Sequence, residues 1–483
     1  MTDVERRMIA PGLEISRLVT GLWQVADMER DGSPLDLDAA ARAMLPYAEA
    51  GLTTFDMADH YGSAEEIAGR CRAARGAGTP LQLLSKWVPA PGEISAEATR
   101  AAVTRALSRL RAERVDLLQF HAWRFSDASW LDALGYLDLL RAEGLIGAIG
   151  LTNFDTAHLR IALASGLPVV SNQVSCSLID RRAQGAMATL CRAHGVALLA
   201  FGTLAGGFLS ERWAGAPEPQ RLATWSLMKY KRFIDAAGGW QRFQEVLADL
   251  LVVARRLGVP VANVATRYVL DQPAVAAVVV GARLGASEHI EENLGVFRLQ
   301  LDDDARAALD AATARLQPIP GDCGDEYRVP PFLTASGDLS HHLSDVAAPY
   351  AVRAGTDGVA RVFSGTHWEA MAGYSRALRT GDRIYVSGTT ATHANRVVGG
   401  RDAAAQAHFV IDKIGGAIES LGGQLADVVR TRVFVSRIAD WEAVARAHGE
   451  RFAAIQPANT LVQAELVGEE YLVEIEAEAV VRR

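Results

Sequence analysis

Asp56, Tyr61, Lys86 and His121 are the residues of this chain whose types and spacing could do chemistry. Each falls where a predicted strand runs out. Asp56 closes residues 52–56, Tyr61 follows in the turn Asp59-His60-Tyr61-Gly62, Lys86 closes 81–86, and His121 closes 115–121. A phenol, an ammonium, a carboxylate and an imidazole on one rim can protonate a carbonyl oxygen while it is reduced. An unperturbed phenol, with a pKa of about 10, is a poor acid near neutrality. A neighbouring ammonium on Lys86 lowers that value, Asp56 keeps Lys86 charged and oriented, and His121 orients the substrate oxygen and shares in proton delivery. Singly, each has a bland reading: a solvated lysine, a structural histidine, a structural Asp–Lys pair. Their joint order and turn context carry the argument.

Such a rim needs strands that end together. Up to about residue 315, short apolar runs (17–25, 52–58, 81–87, 115–122, 146–153, 168–176, 197–204 and 274–283) alternate with amphipathic stretches. One stretch is 95–113, where Val103, Leu107 and Leu110 recur at helical spacing. Asp36 and Ser95 stand where helix N-caps are expected. Continuous runs of Val, Ile and Leu suit strands buried on both faces of a parallel sheet. Eight of them with intervening helices predict an α/β fold, a closed (β/α)8 TIM barrel. An open doubly wound sheet is the alternative, but a dinucleotide-binding sheet should carry GxGxxG after its first strand. No run is followed by that motif, and GxxxxGK[ST] is absent.

At 483 residues the chain is too long for one ordinary core, so two domains are expected. Its 49% hydrophobic and 22% charged content suits a soluble globular protein. A net charge of −8, with no basic stripe, argues against nucleic acid as a partner. Cys71, Cys176, Cys191 and Cys323 form no CxxC pair and are read as reduced thiols of a cytoplasmic protein, with no metal site. The first residues lack the apolar core of a signal peptide. No apolar run approaches the roughly 20 residues needed to span a bilayer, so no membrane partner is expected.

Periodicity fails from about 317 to 359, where prolines are scattered among Gly and Asp around His341-His342. Its first half is expected over the barrel mouth, with Tyr327, Arg328 and Phe332 as wall residues; a plain tether is the alternative. A second module follows: strand 383–390, helix 402–421 with Val410, Ile414 and Ile418 on one face, strand 428–437, helix 440–454, and strands 459–467 and 471–481. The last strand alternates Val473, Ile475, Ala477 and Ala479 with Glu474, Glu476 and Glu478, which predicts a sheet with one buried face. The expected division is a barrel at 1–317, an irregular tail and linker at 318–358, and a smaller α+β domain at 359–483.

The stretch Phe55-Asp56-Met57-Ala58-Asp59-His60-Tyr61-Gly62, with Glu65 after it, resembles the Asp–Tyr signature of the aldo-keto reductases. Arg105-Ala106-Leu107-Ser108-Arg109-Leu110 followed by 115–121 resembles that family's helix-and-His element. Met57 replaces the commoner Thr. The resemblance covers about 8–315 and implies a nicotinamide cofactor bound without a Rossmann fold, NADP(H) ahead of NAD(H), acting on a small-molecule carbonyl substrate. It assigns Thr152, Asn153 and Gln173 to the carboxamide and Phe201 to stacking on the nicotinamide ring, though Phe201 also suits plain core packing. In 281–293 it assigns Arg283 to a 2′-phosphate and Glu292 and Asn293 to the adenine, with helix-start amides as a phosphate site. His289 stands where many members place Arg. Trp23, Trp87 and Trp123 lie near strand ends as pocket walls, with core packing the alternative for Trp87.

Residues 360–483 resemble the YjgF/RidA imine and enamine deaminases, a chorismate-mutase-like α+β fold. The resemblance rests on Gly373-Tyr374-Ser375-Arg376-Ala377, Val386-Ser387-Gly388, 427–435 and Val473-Glu474-Ile475-Glu476-Ala477. It implies a homotrimer with pockets between subunits, lined here by Tyr374, Asn459 and Glu474. Asn459 stands where active deaminases carry Arg, and an amide supplies neither the charge nor the bidentate fork. An oligomerising or ligand-sensing module is therefore an open reading of this domain.

The leading functional expectation is NAD(P)H-dependent reduction of an aldehyde or ketone, or the reverse oxidation, with Tyr61 as general acid. Two alternatives stand beside it: imine hydrolysis in the C-terminal domain coupled to reduction in the barrel, and a non-enzymatic NADPH-binding sensor.

Overall fold

Eight parallel strands close into a barrel: Leu18–Gly21, Thr54–Asp56, Gln82–Trp87, Val115–Phe120, Ile146–Thr152, Val169–Ser175, Ala197–Phe201 and Val275–Gly281. This is a computed structural model, and it describes residues 4–25, 34–76, 78, 80–90, 94–285, 288–329 and 340–482. The eighth strand pairs with the first, Val278 with Leu18 through Gly281 with Gly21, so the open-sheet alternative is excluded. Each strand lies within an apolar run expected from the sequence. Asp36 caps the helix Leu37–Glu49 by accepting from the amides of Asp38 and Ala39, and Ser95 caps Ala96–Leu110 through Ala98.

The barrel interior is filled. Val19, Leu84, Leu117, Ala148, Leu199 and Ala277 meet inside it, and Ile9, Ala10, Leu13 and Ile15 join them from below. These last four belong to an antiparallel hairpin, Arg6–Ala10 with Leu13–Ser16, which the sequence reading did not anticipate. The hairpin stoppers the N-terminal end, leaving the C-terminal rim as the open mouth.

The C-terminal domain is built on a seven-stranded sheet, in the order 352–354, 360–362, 377–380, 383–390, 473–480, 428–435, 458–463, with a separate two-stranded ribbon of 392–393 and 396–397. The pair Val428–Val435 with Ala458–Gln463 is parallel and the other pairings are antiparallel. The expected alternation of the last strand holds: Val473, Ile475, Ala477 and Ala479 are buried, and the glutamates between them are half-exposed. The sheet begins at Val352, inside the stretch expected to be irregular. Its first three strands have only three or four residues each, too few to show a period.

The helix Ala403–Ser420 has one apolar face on this sheet and the opposite face against the barrel helix Thr156–Ala164. Burial on both sides takes in Asp412 and His408 as well as Val410, Ile414 and Ile418. Gly416 allows the close approach: a Cβ there would lie 2.6 Å from the Ser126 carbonyl oxygen. At the centre, His158 Nδ1 bonds Asp155 (2.6 Å) and Nε2 bonds Asp412 (2.9 Å), while Arg451 meets Asp412 at 2.7 Å. Among the described residues no helix is long and apolar enough to cross a membrane.

Burial alone would push the His158 pKa down, but the Asp155 and Asp412 carboxylates outweigh it and hold it up at about 9. A pKa raised on folding stabilises fully below the unfolded value of about 6.5 and is lost as pH rises through the folded one. Wild-type melting temperature should therefore fall between pH 6.5 and 9 by more than that of His158→Gln, as read by calorimetry.

Candidate active site

At the rim, Asp56 ends the second strand and Lys86 lies one residue before the end of the third. Parallel pairing in register sets both at the mouth, and Lys86 Nζ donates to Asp56 Oδ2 at 2.5 Å and to the Met57 carbonyl at 3.1 Å. Both side chains are about 95% buried. Asp56 Oδ1 accepts from Gln119 Nε2 (2.9 Å) and Gln173 Nε2 (2.7 Å), so the carboxylate carries a full set of charge-stabilising partners. Burial pushes the Lys86 pKa down, opposed by Asp56. Tyr61, half-buried in the turn after the second strand, places its ring centroid 5.2 Å from Lys86 Nζ, with Trp23 edge-on at 4.8 Å.

His121 follows the fourth strand and is 2% exposed. Burial drives its pKa well below the ordinary value, helped by the charges of Arg328, His60 and Lys229, so the imidazole is neutral. Among the described residues neither ring nitrogen makes a well-formed hydrogen bond, although the backbone of Thr152 lies beside the ring and favours its protonated form. A buried polar side chain without partners is uncommon and calls for an explanation.

Thr152 ends the fifth strand, and Asn153 follows it in a left-handed conformation (φ 59°). Asn153 N donates to the Gln173 carbonyl at 2.9 Å, and Thr152 Oγ1 donates to the same oxygen at 3.3 Å, so the three sit side by side. Among the described residues Asn153 Oδ1 is buried without a partner. That orphan acceptor fits the amide hydrogens of a nicotinamide carboxamide. Gln173 Nε2 donates to Asp56 Oδ1 and Gln119 Oε1. Phe201 ends the seventh strand, half-exposed, with Lys229 Nζ 4.9 Å from its ring centroid. Arg283 and Glu292 are exposed at the end of the eighth strand and in the helix after it, and Asn293 is half-buried. His289 bonds Glu292 at 2.6 Å. Among the described residues, no hydrogen bond or ion pair joins these residues, expected at the adenosine end, to the rim quartet.

The tail does lie over the mouth. Tyr327 meets His121 at 5.7 Å between rings and bonds Lys229, while Trp123 is edge-on to His121 at 4.4 Å. Trp87 is buried and packs against Phe120, within the apolar core. Phe332, expected beside Tyr327, lies outside the described residues. Three contributors escaped the sequence reading: Gln119, Lys229 and the His158 network. Gln119 carried a signal, being a polar residue within an otherwise apolar strand end. Lys229 sits on an ordinary amphipathic helix, Trp225–Ala236, and carried none.

In the C-terminal domain, the expected trio is split within one chain. Tyr374 OH accepts from Arg376 Nη2 (3.0 Å), Arg376 Nη1 donates to the Gly388 carbonyl (2.6 Å), and Glu474 lies against Gly388, where a Cβ would meet Oε1 at 2.0 Å. Asn459 instead bonds Thr431, which pairs directly with it in the sheet; Glu474 pairs with Phe434. Positions 431 and 434 face opposite ways along a strand, so Asn459 is on the helix-covered face and Glu474 on the other.

Fold and site together define a barrel oxidoreductase. The family model described as "Aldo/keto reductase family" matches residues 17–314, and the chain belongs to that family. A second model, "Endoribonuclease L-PSP", matches 365–481, so the chain is a fusion of this barrel with a YjgF/RidA-type domain. The barrel is 29% identical over 320 residues to 6-dehydroglucose reductase of Agrobacterium fabrum, covering 62% of this chain and 94% of that protein. It is 28% identical over 316 residues to flagellar radial spoke protein 5 of Chlamydomonas reinhardtii; that match takes in 51% of this chain and 60% of the relative's length. The C-terminal domain is 36% identical over 125 residues to an uncharacterised protein of Streptomyces coelicolor, 26% of this chain and 93% of the other. The glycerol dehydrogenase of Gluconobacter oxydans shares the barrel fold, with a TM-score of 0.51 at 22% identity over 64% of this chain and 95% of that one.

Removing one member of a buried ion pair leaves the other uncompensated. Asp56→Asn should therefore lower stability by about 3–5 kcal/mol, measured by urea denaturation.

Proposed function

We propose that the barrel reduces an aldehyde or ketone with NADP(H), or runs the reverse oxidation, Tyr61 serving as general acid. The observation that carries this reading is the contrast at the rim. Asp56 and Lys86 are fully engaged with protein partners, while among the described residues the neighbouring His121 nitrogens and Asn153 Oδ1 are buried without a well-formed hydrogen bond.

The residues fit a nicotinamide: Asn153 Oδ1 and the Gln173 amide oxygen accept from its carboxamide, Thr152 borders it, and Phe201 offers a ring face. A bound nicotinamide supplies or takes the hydride. Every other task falls to the chain. His121, held neutral, donates N–H to the carbonyl oxygen and fixes its direction. Tyr61 gives that oxygen its proton, and the Lys86 ammonium stabilises the phenolate left behind. Asp56 keeps the ammonium in place. Trp23, Trp123 and Tyr327 wall the space above and limit water. At the adenosine end the exposed guanidinium of Arg283 is the group offered to a 2′-phosphate, which favours NADP(H) over NAD(H). The family likeness of the C-terminal domain supports a homotrimer.

Tyr61→Phe should cut kcat/KM by at least about 1000-fold, within the range for losing a general acid, in NADPH oxidation across an aldehyde and ketone panel. A fully active variant would falsify the mechanism. Arg283→Ala should weaken NADPH binding about tenfold, which is about 1.4 kcal/mol, and leave NADH binding unchanged; fluorescence titration separates the two.

A further inference from the structure

Beyond the rim residues themselves, one side chain of the tail touches both halves of the site. Arg328 donates through Nε and Nη2 to the Ala122 carbonyl (2.8 and 2.5 Å), and through Nη1 to the Asn153 carbonyl (2.5 Å) and the Gly324 carbonyl (3.1 Å). Ala122 is the residue after His121, and Asn153 the residue after Thr152. These carbonyls lie just past the ends of the fourth and fifth strands, beyond the last paired residues Phe120 and Leu151. A guanidinium is a rigid planar fork, so bonding both carbonyls fixes the distance between them as well as satisfying each.

Two features show that this contact is built in. Gly324, at φ +84°, passes so close that a Cβ would lie 2.0 Å from the Asn153 carbonyl oxygen; the tail reaches this seat only with glycine there. Asn153 keeps a left-handed backbone (φ 59°), a conformation uncommon for residues other than glycine. Arg328 also lies 4.5 Å over the Phe125 ring, which stacks on His158 at 3.5 Å. The clamp is thus braced from the interface side.

We propose that Arg328 is a positioning residue for the reduction: by clamping the turns after His121 and Thr152 it sets the spacing between the acceptor carbonyl and the nicotinamide. The inference rests on the proposed carbonyl reduction. Arg328 touches no reacting atom. It acts through His121, which aims the substrate, and Asn153, which aims the cofactor. Lysine, with one ammonium, cannot span two carbonyls in fixed geometry.

The test uses the full chain with Arg328→Ala and Arg328→Lys, read in three ways. In the cofactor-free protein, hydrogen exchange should speed up in peptides covering 121–125 and 152–156 and stay unchanged in the hairpin 6–16. NADPH titrated by fluorescence should bind about tenfold more weakly. With saturating NADPH, kcat of Arg328→Ala should fall about 100-fold, the cost of a misplacement near 1 Å, with KM for the carbonyl within threefold. Ethylguanidinium should restore at least tenfold of the lost kcat, which a role in stability alone would not allow. Folded variants with kcat, NADPH affinity and exchange all within threefold of wild type would overturn the proposal. Failure of both variants to fold would also overturn it, making Arg328 a folding residue. If Ala alone fails, Lys decides by the same thresholds. An inactive wild type would instead refute the reduction itself, while the exchange experiment still reports whether Arg328 holds the two turns.

Discussion

The Asp56–Lys86 pair is the constraint around which the barrel mouth is arranged. Taking both charges out of water costs several kcal/mol per ion, and Coulomb attraction recovers this only when the remaining lone pairs and protons are satisfied. The satisfaction comes from distant parts of the chain. Asp56 stands on the second strand, Lys86 on the third, Gln119 on the fourth and Gln173 on the sixth, all converging on one carboxylate. An open sheet would separate the second and sixth strands by several strand widths of about 4.8 Å. Only closure brings Gln173 to 2.7 Å from Asp56, so barrel and pair each require the other.

Against this saturated base, the unsatisfied groups stand out. Among the described residues, His121 and Asn153 are buried in the same rim yet keep polar atoms without a well-formed hydrogen bond, a state that folding alone has no reason to favour. Burial and nearby cations keep His121 neutral, which removes a charge the rim could not afford and preserves an N–H donor. Polar satisfaction thus sorts the rim into a scaffold and a set of groups available to ligands.

How much of this was readable from the sequence depended on locality. The eight barrel strands were visible because each is a short, doubly buried apolar run, and Asp36 and Ser95 announced their helices by cap chemistry. The rim quartet was readable because its residues sit at run ends. The strands at 352–354, 360–362 and 377–380 were hidden by their length, and the plugging hairpin by its position before the first run. Gln173 was expected to serve the carboxamide alone, and its bond to Asp56 spans 117 residues, a pairing that no local pattern reports. Lys229, His158 and Asp412 were hidden for the same reason: their partners lie 98 and 254 residues away.

The interface between the domains shows why such non-local polar contacts are worth having. A helix apolar on two faces, as Ala403–Ser420 is, could settle against the barrel in several registers separated by one turn, each burying similar apolar area. Charged groups remove that degeneracy, because a slip of one turn, about 5.4 Å, would leave Asp412 and His158 buried without each other. Stranding buried charges costs several kcal/mol, more than the difference between alternative apolar contacts. Four further contacts surround the central pair: Arg160 with Asp402, His393 with Asp132, Ser126 with Glu419, and the Gly399 amide with Ser165. The apolar face supplies adhesion and these polar contacts supply register. Through Phe125, stacked on His158 and lying under Arg328, that register is built into the same packing as the turn that carries Asn153.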